Sequence, residues 1–301
     1  MPPGAEHFVQ PPQWEWWILG YFFLGGLAGG SYALGTLLRI AGDPRDETAA
    51  RLAYIASFIA LIPCPIFLAL DLGQPIRFWH MLVDTSDGGL SLNLASPMSV
   101  GSWVLLFFGL FSFVSFLGAL AESGRLAAAR PIASALRGGA GIVWGVIGTV
   151  LGVFICGYTG VLLAVSNQPV WSDGGWVLGG MFLASALSGS AALLLLLARS
   201  RRDITPDTEV RIEAADRMFV ILEAILIALF IVTLILADTV MRVLGVWIVL
   251  WLVVLIGLAA PLVAGWRPQM ARRWPPLAAP VLALIGVLAL RALVIFSAQF
   301  G

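Results

Sequence analysis

The chain has 301 residues, 60% of them hydrophobic and 11% charged, against roughly 25% charged in a soluble domain. Its formal charge is zero, and all 17 basic residues are arginine. So few charges cannot cover a water-facing surface; an ordinary soluble fold is excluded and lipid is much of the solvent.

The first apolar run covers 14–38. It has no basic n-region and is too long for an h-region, so it reads as a span and not as a cleaved leader. Gly25 with Gly29, and Gly26 with Gly30, form small-xxx-small pairs suited to close helix packing. After GDPRDET a second run covers 52–72 and leads into ALDLGQPIRFWHM. ASP precedes the third run at 97–121. The fourth, at 140–166, repeats the glycine device at Gly141, Gly145, Gly148 and Gly152 and contains GYTGVLLAVSNQPVW. Four more runs lie near 175–199, 215–237, 243–265 and 278–300, separated by polar stretches such as RSRRDITPDTE and WRPQMARRWPP. Each is long enough to cross at about 20 residues, and backbone groups in lipid must pair internally, so the spans are helices. The expected fold is an all-α integral membrane protein with eight transmembrane helices, one polytopic domain over 1–301.

Arginine orients it. Fourteen arginines, Arg39 to Arg273, fall at one set of loops and helix ends; the opposite set holds only Arg77 and Arg242, and Arg291 lies within the last span. The positive-inside rule makes the first set cytoplasmic and puts both termini outside. Trp14, Trp16, Trp17, Trp79, Trp103, Trp171 and Trp176 gather at the outer boundary as an aromatic belt, with Trp171 and Trp176 also available to a protein partner. Arginine-only basicity with much alanine and glycine suggests a GC-rich bacterial genome.

Cys64 and Cys156 sit in apolar runs, and His7 and His80 lie outside the spans. No CxxC or Cys/His cluster is present, so the chain is expected to hold no metal of its own. Without an intramembrane histidine, a b-type haem between helices has no ligands of the usual kind.

A polar side chain in a span is costly and needs a reason. Asp71, Gln74, Arg77 and His80 cluster at the outer end of the second span, facing Tyr158, Thr159, Ser166, Asn167 and Gln168 on the outer half of the fourth. Tyr158 lies about two turns deeper, and Tyr21 falls at similar depth on the first span. Together they suit one outward-opening cavity with an apolar wall and a few polar groups. Each also has a structural reading: Asp71 and Arg77 as an ion pair, the tyrosines as interhelical contacts, His80 as a solvated loop residue. Deeper down, Glu223 and Arg291 differ in depth by about four residues, or ~6 Å, and form either a buried pair or steps of a proton path.

WEWWILGYFFLGGLAGG at 14–30, ALDLGQPIRFWHM at 69–81, LASPMSVGSW at 94–103, GYTGVLLAVSNQPVW at 157–171 and LRALVIFSAQ at 290–299 together resemble the NrfD/polysulfide reductase membrane-subunit family across the chain. The resemblance implies two four-helix bundles and a haem-free quinone anchor using menaquinone or ubiquinone. It implies two partners on the outer, periplasmic face of a bacterial inner membrane. One is a ferredoxin-like subunit with four [4Fe–4S] clusters; the other is a catalytic subunit with a molybdenum or tungsten pterin. The family's quinone tyrosine matches Tyr158, its first-helix contacts match Ile18 and Tyr21, and its terminal-helix arginine and glutamine match Arg291 and Gln299. At the first-helix positions the family carries amide and imidazole groups; Ile18 cannot hydrogen-bond a quinone carbonyl, whereas Tyr21 can.

The expectation is a quinone pocket built from Tyr158, Tyr21, Gln74 and Arg77, with Asp71 and His80 exchanging protons with solvent and Glu223 and Arg291 on a possible cytoplasmic proton route. The rivals are a secondary transporter and a structural anchor without a quinone site.

Overall fold

The computed structural model describes residues 14–72, 74–83, 96–201, 203–271 and 273–300; His7, Arg202, Arg272 and the start of LASPMSVGSW lie outside them. Among the described residues all regular structure is helical, and eight helices are long and apolar enough to cross a membrane.

The first span is α1 (Trp16–Ala41). The second is two helices, α2 (Glu47–Leu61) and α3 (Pro63–Asp71), where the sequence suggests one. Pro63 and Pro65 bring no N–H to the ladder, and the helix breaks at Ile62. A 3₁₀ helix, Pro75–Met81, turns away from the end of α3. The third span, α4 (Pro97–Glu122), begins at Ser96, whose hydroxyl accepts from the Ser99 N–H. A short α5 (Arg130–Ala135) then leads into the fourth span, α6 (Gly139–Ala164).

The fifth span, α7 (Trp171–Ala198), starts four residues before its predicted boundary at 175, because Gly175 adopts φ 51° and helix forms on both sides of it. The sixth, α8 (Pro206–Leu236), starts nine residues before the predicted 215. Thr205 caps it, Pro206 suits its first turn, and its polar leading turns are tied down by ion pairs of Arg211 with Asp46 and Arg199 with Glu213. The seventh is split into a short α9 (Val240–Leu244) and α10 (Ile248–Trp266). A short α11 (Pro268–Ala271) precedes the eighth span, α12 (Ala278–Phe300), at its predicted bounds.

In the first half α1 packs on α2 and α6, and α4 lies between α2 and α6; in the second α7 packs on α8 and α12, and α10 lies between α8 and α12. α1 and α6 both pack on α7 and so join the halves. The glycines of α1 explain how one helix serves so many neighbours. A methyl group on Gly29 would sit 2.3 Å from the Gly152 carbonyl oxygen of α6, and one on Gly30 would sit 2.4 Å from the Ser190 hydroxyl of α7. Two small faces on one helix thus admit two different partners. Hydroxyl pairs then fix the first half: Tyr32 with Ser115 at 2.8 Å, Thr36 with Tyr54 at 2.9 Å, Ser57 with Ser112 at 3.1 Å.

Across the halves, the Trp14 N–H donates to the Gln299 side-chain oxygen at 2.9 Å, and the Gln299 amide donates back to the Trp14 carbonyl at 2.9 Å. Trp171 corrects the belt assignment. It is fully buried, stacks on Trp14 with ring centroids 5.2 Å apart, and donates its indole N–H to the Val294 carbonyl at 2.7 Å. Trp16 and Trp176, more than 70% exposed, remain available to lipid.

Candidate functional site

Tyr158 is placed by the close approach of helices α6 and α4. Its ring lies against Gly101, where a methyl group would come within 2.2 Å of the ring. Its hydroxyl donates to the Pro97 carbonyl oxygen at 2.6 Å. Tyr21 of α1, Asp71 at the end of α3, and Tyr158 line one cleft, closed by Ile18, Leu68 and Met98 among others. Tyr21 is 1% exposed and Asp71 half-buried. The cleft is narrow, about 20 Å³, room for roughly one water.

The cleft has two larger neighbours. A polar vestibule of about 550 Å³ is lined by Gln74, Arg77, His80, Ser96 and Ser99, and shares Leu72, Met81 and Met98 with the cleft. An apolar groove of about 750 Å³ between α2–α3 and α4 shares Leu68, Met81 and Ser102 with it. Met81 touches all three spaces.

The predicted pocket residues therefore divide. Tyr21, Asp71 and Tyr158 come together; Gln74, Arg77 and His80 line the next chamber and are exposed there. Asp71 and Arg77 make no ion pair with each other, because the 3₁₀ helix carries Arg77 into the vestibule. His80 stacks on Trp79, ring centroids 3.6 Å apart. Thr159, Ser166, Asn167 and Gln168 line neither space: the Thr159 hydroxyl bonds its own helix at Cys156, and Ser166 and Gln168 shape the turn into α7. Sequence reasoning misses Gly101, Ser102, Met81 and Met98. The run of small residues in SPMSVGS is the available signal for the first two.

Glu223 and Arg291 form a second polar centre, and of the two readings the buried pair does not take the form of a direct ion pair. Arg291 is fully buried yet saturated with acceptors. It donates to the carbonyls of Phe22 at 3.2 Å, Phe182 at 3.3 Å and Val287 at 3.2 Å, and to the Ser185 hydroxyl at 3.0 Å. Glu223, 2% exposed, neighbours the same Ser185. Gly26 leaves the room: a methyl there would lie 2.9 Å from the guanidinium. Asp216, which does not stand out in the sequence, is 3% exposed one step nearer the arginine-rich end and accepts from Ser188 at 3.0 Å. Among the described residues no group of three or more His, Cys, Asp or Glu side chains is gathered for a metal ion.

Eight apolar helices with polar groups held between them define a multi-pass membrane protein. The chain belongs to the family described as polysulphide reductase, NrfD, whose profile matches residues 6–300. It is also similar to a selenate reductase subunit of Mesobacillus selenatarsenatis, 33% identical over 95 residues. That stretch is 32% of this chain and 20% of the relative's length.

Proposed function

We propose that this chain is the haem-free quinone-binding membrane anchor of a respiratory oxidoreductase complex. It passes electrons between the membrane quinone pool and an iron–sulfur subunit, which feeds a molybdenum or tungsten pterin subunit. The observation that carries this reading is the meeting of Tyr21, Asp71 and Tyr158 in one cleft, set between a polar chamber and a lipid-side groove. Family membership and the likeness to a selenate reductase subunit support it. The helix neighbours support two four-helix bundles, and the arginine bias supports cytoplasmic placement of the Arg39 end in a bacterial inner membrane, with partners outside.

The cleft as it stands is too small for a quinone ring. The headgroup lies in this reading at the seam of cleft and vestibule, with Met81 and Met98 turning aside; their unbranched thioethers make that an easy movement. Tyr158 already donates its proton to Pro97, so its oxygen accepts from a quinol hydroxyl, or the Pro97 bond is exchanged for one to a quinone carbonyl. Tyr21 supplies a second phenol to the same cleft, from α1. Asp71 faces the reacting ring and His80 lines the vestibule, so in this reading a proton leaves or arrives through the vestibule. A second route is Asp216–Ser188 and Glu223–Ser185, with Arg291 holding the positive charge beside Phe22. Moving a charge across the whole field is worth ~2.3 kcal/mol per 100 mV, so the choice of route decides whether turnover conserves energy.

A transporter needs one half to rock on the other. The clasp of Trp14 with Gln299 and the packing of α1 against α6, α7 and α12 favour a fixed scaffold. The test is quinone-linked turnover of the assembled complex in Tyr158→Phe: a fall of about tenfold or more, with assembly intact, is expected, and wild-type turnover overturns the reading.

A further inference from the structure

The apolar groove beside the cleft is a part of the first half that the quinone headgroup leaves unused. It follows α4 from Ser102 to Phe113, twelve residues, a rise of about 16 Å. On the other wall it follows the second span back from Leu68 to Phe58. Its lining has two local features. At the junction of α2 and α3, Ile62 and Pro65 line the wall of the second span. Opposite, Gly109 presents no side chain, and a methyl built there would meet only Leu61, at 4.0 Å. Phe58 and Phe113, ring centroids 5.2 Å apart, close the far end. The lining holds one hydroxyl, that of Ser102, and no charged side chain. At its near end the groove runs into the Tyr21–Asp71–Tyr158 cleft through Leu68, Met81 and Ser102.

We propose that this groove holds the polyprenyl tail of the quinone, that the carrier reaches the cleft sideways from the lipid between the second and third spans, and that Met81 is the plug it displaces. The inference rests on the headgroup reading given above. A phospholipid acyl chain is a poorer occupant of the same groove, because the attached phosphate would be brought against the Asp71 carboxyl at the near end. A prenyl tail brings no charge, and its ring arrives where two phenols and a carboxyl wait.

The test compares a tailed menaquinone with menadione, the same ring without a tail, binding to the full chain in phosphatidylcholine nanodiscs. Gly109→Phe fills the groove from a position with open space, so the fold is expected to tolerate it. It should weaken the tailed quinone by about tenfold or more, the effect of losing about two or more buried methylene groups, and change menadione by less than about twofold. Unchanged affinity for the tailed quinone overturns the proposal. Tyr158→Phe is the control for the underlying reading. Loss of both probes there, with no loss in Gly109→Phe, removes the groove and keeps the headgroup site; no loss of either probe in Tyr158→Phe removes the headgroup reading itself. A fold-neutral measurement stands beside these: a quinone with a photoreactive group at its tail end should label the wild-type chain near Phe58 and Phe113. Labelling confined to other spans, or equal labelling there by a phospholipid bearing the same group on its acyl chain, overturns the proposal.

Discussion

Tyr158 and Arg291 both place polar atoms among membrane helices, and the protein surrounds them in opposite ways. Arg291 is enclosed on every side, its guanidinium engaged by three carbonyls and a serine hydroxyl. Tyr158 makes one hydrogen bond and borders a void, with chambers on two sides. A buried charge with complete partners fixes the packing of α1, α7 and α12. A buried phenol with spare valence and flexible thioethers beside it leaves room for a guest. The difference separates a polar residue that builds the scaffold from one to which the proposed function gives a ligand.

Variants can break that distinction or sharpen it. Arg291→Leu should have the largest effect on stability, because it leaves Ser185 and three carbonyls without their donor and Glu223 without a nearby countercharge. A loss of about 3–5 kcal/mol is expected, read as a lower thermal midpoint of the purified chain. An unchanged midpoint would mean that the arginine is not structural. Gly101→Ala comes next. Its methyl meets the Tyr158 ring, and overpacking of this kind costs about 1–3 kcal/mol. Quinone affinity should fall with it, since the ring must leave Pro97. Tyr158→Phe removes one hydrogen bond and should cost only about 1 kcal/mol in the same melt while quinone-linked turnover collapses. His80→Ala, on an exposed residue, should stay within about 0.5 kcal/mol of wild type and slow turnover several-fold. If stability and turnover fall in parallel across this series, the two regions are not distinct in kind.

Much of this is readable in the residues. Eight apolar runs, the glycine pairs of α1, and the convergence of Tyr21, Asp71 and Tyr158 all follow from length, spacing and depth. Other features are hidden for physical reasons. The polar start of α8 resembles a loop because hydropathy marks where lipid begins and not where helix begins; its ion pairs are long-range and invisible in one strand of text. Opposite charges at similar depth invite pairing of Arg291 with Glu223, yet backbone carbonyls of neighbouring helices are nearer. Gly101 and Gly109 escape notice because what each contributes is space, for the Tyr158 ring at Gly101 and for the open groove at Gly109. The position of Trp171 suggests the interface, while its ring turns inward onto Trp14.

The reciprocal bonds between the Trp14 peptide and the Gln299 amide bear on how the protein is made. A ribosome delivers Trp14 to the membrane long before Gln299, so the first helix must wait, its rim unfastened, until the eighth has been inserted. Trp14 is also a wall of the cleft, which ties completion of the binding chamber to the final insertion event. A polypeptide halted before α12 would thus lack the partner that fastens Trp14 at the rim of the cleft.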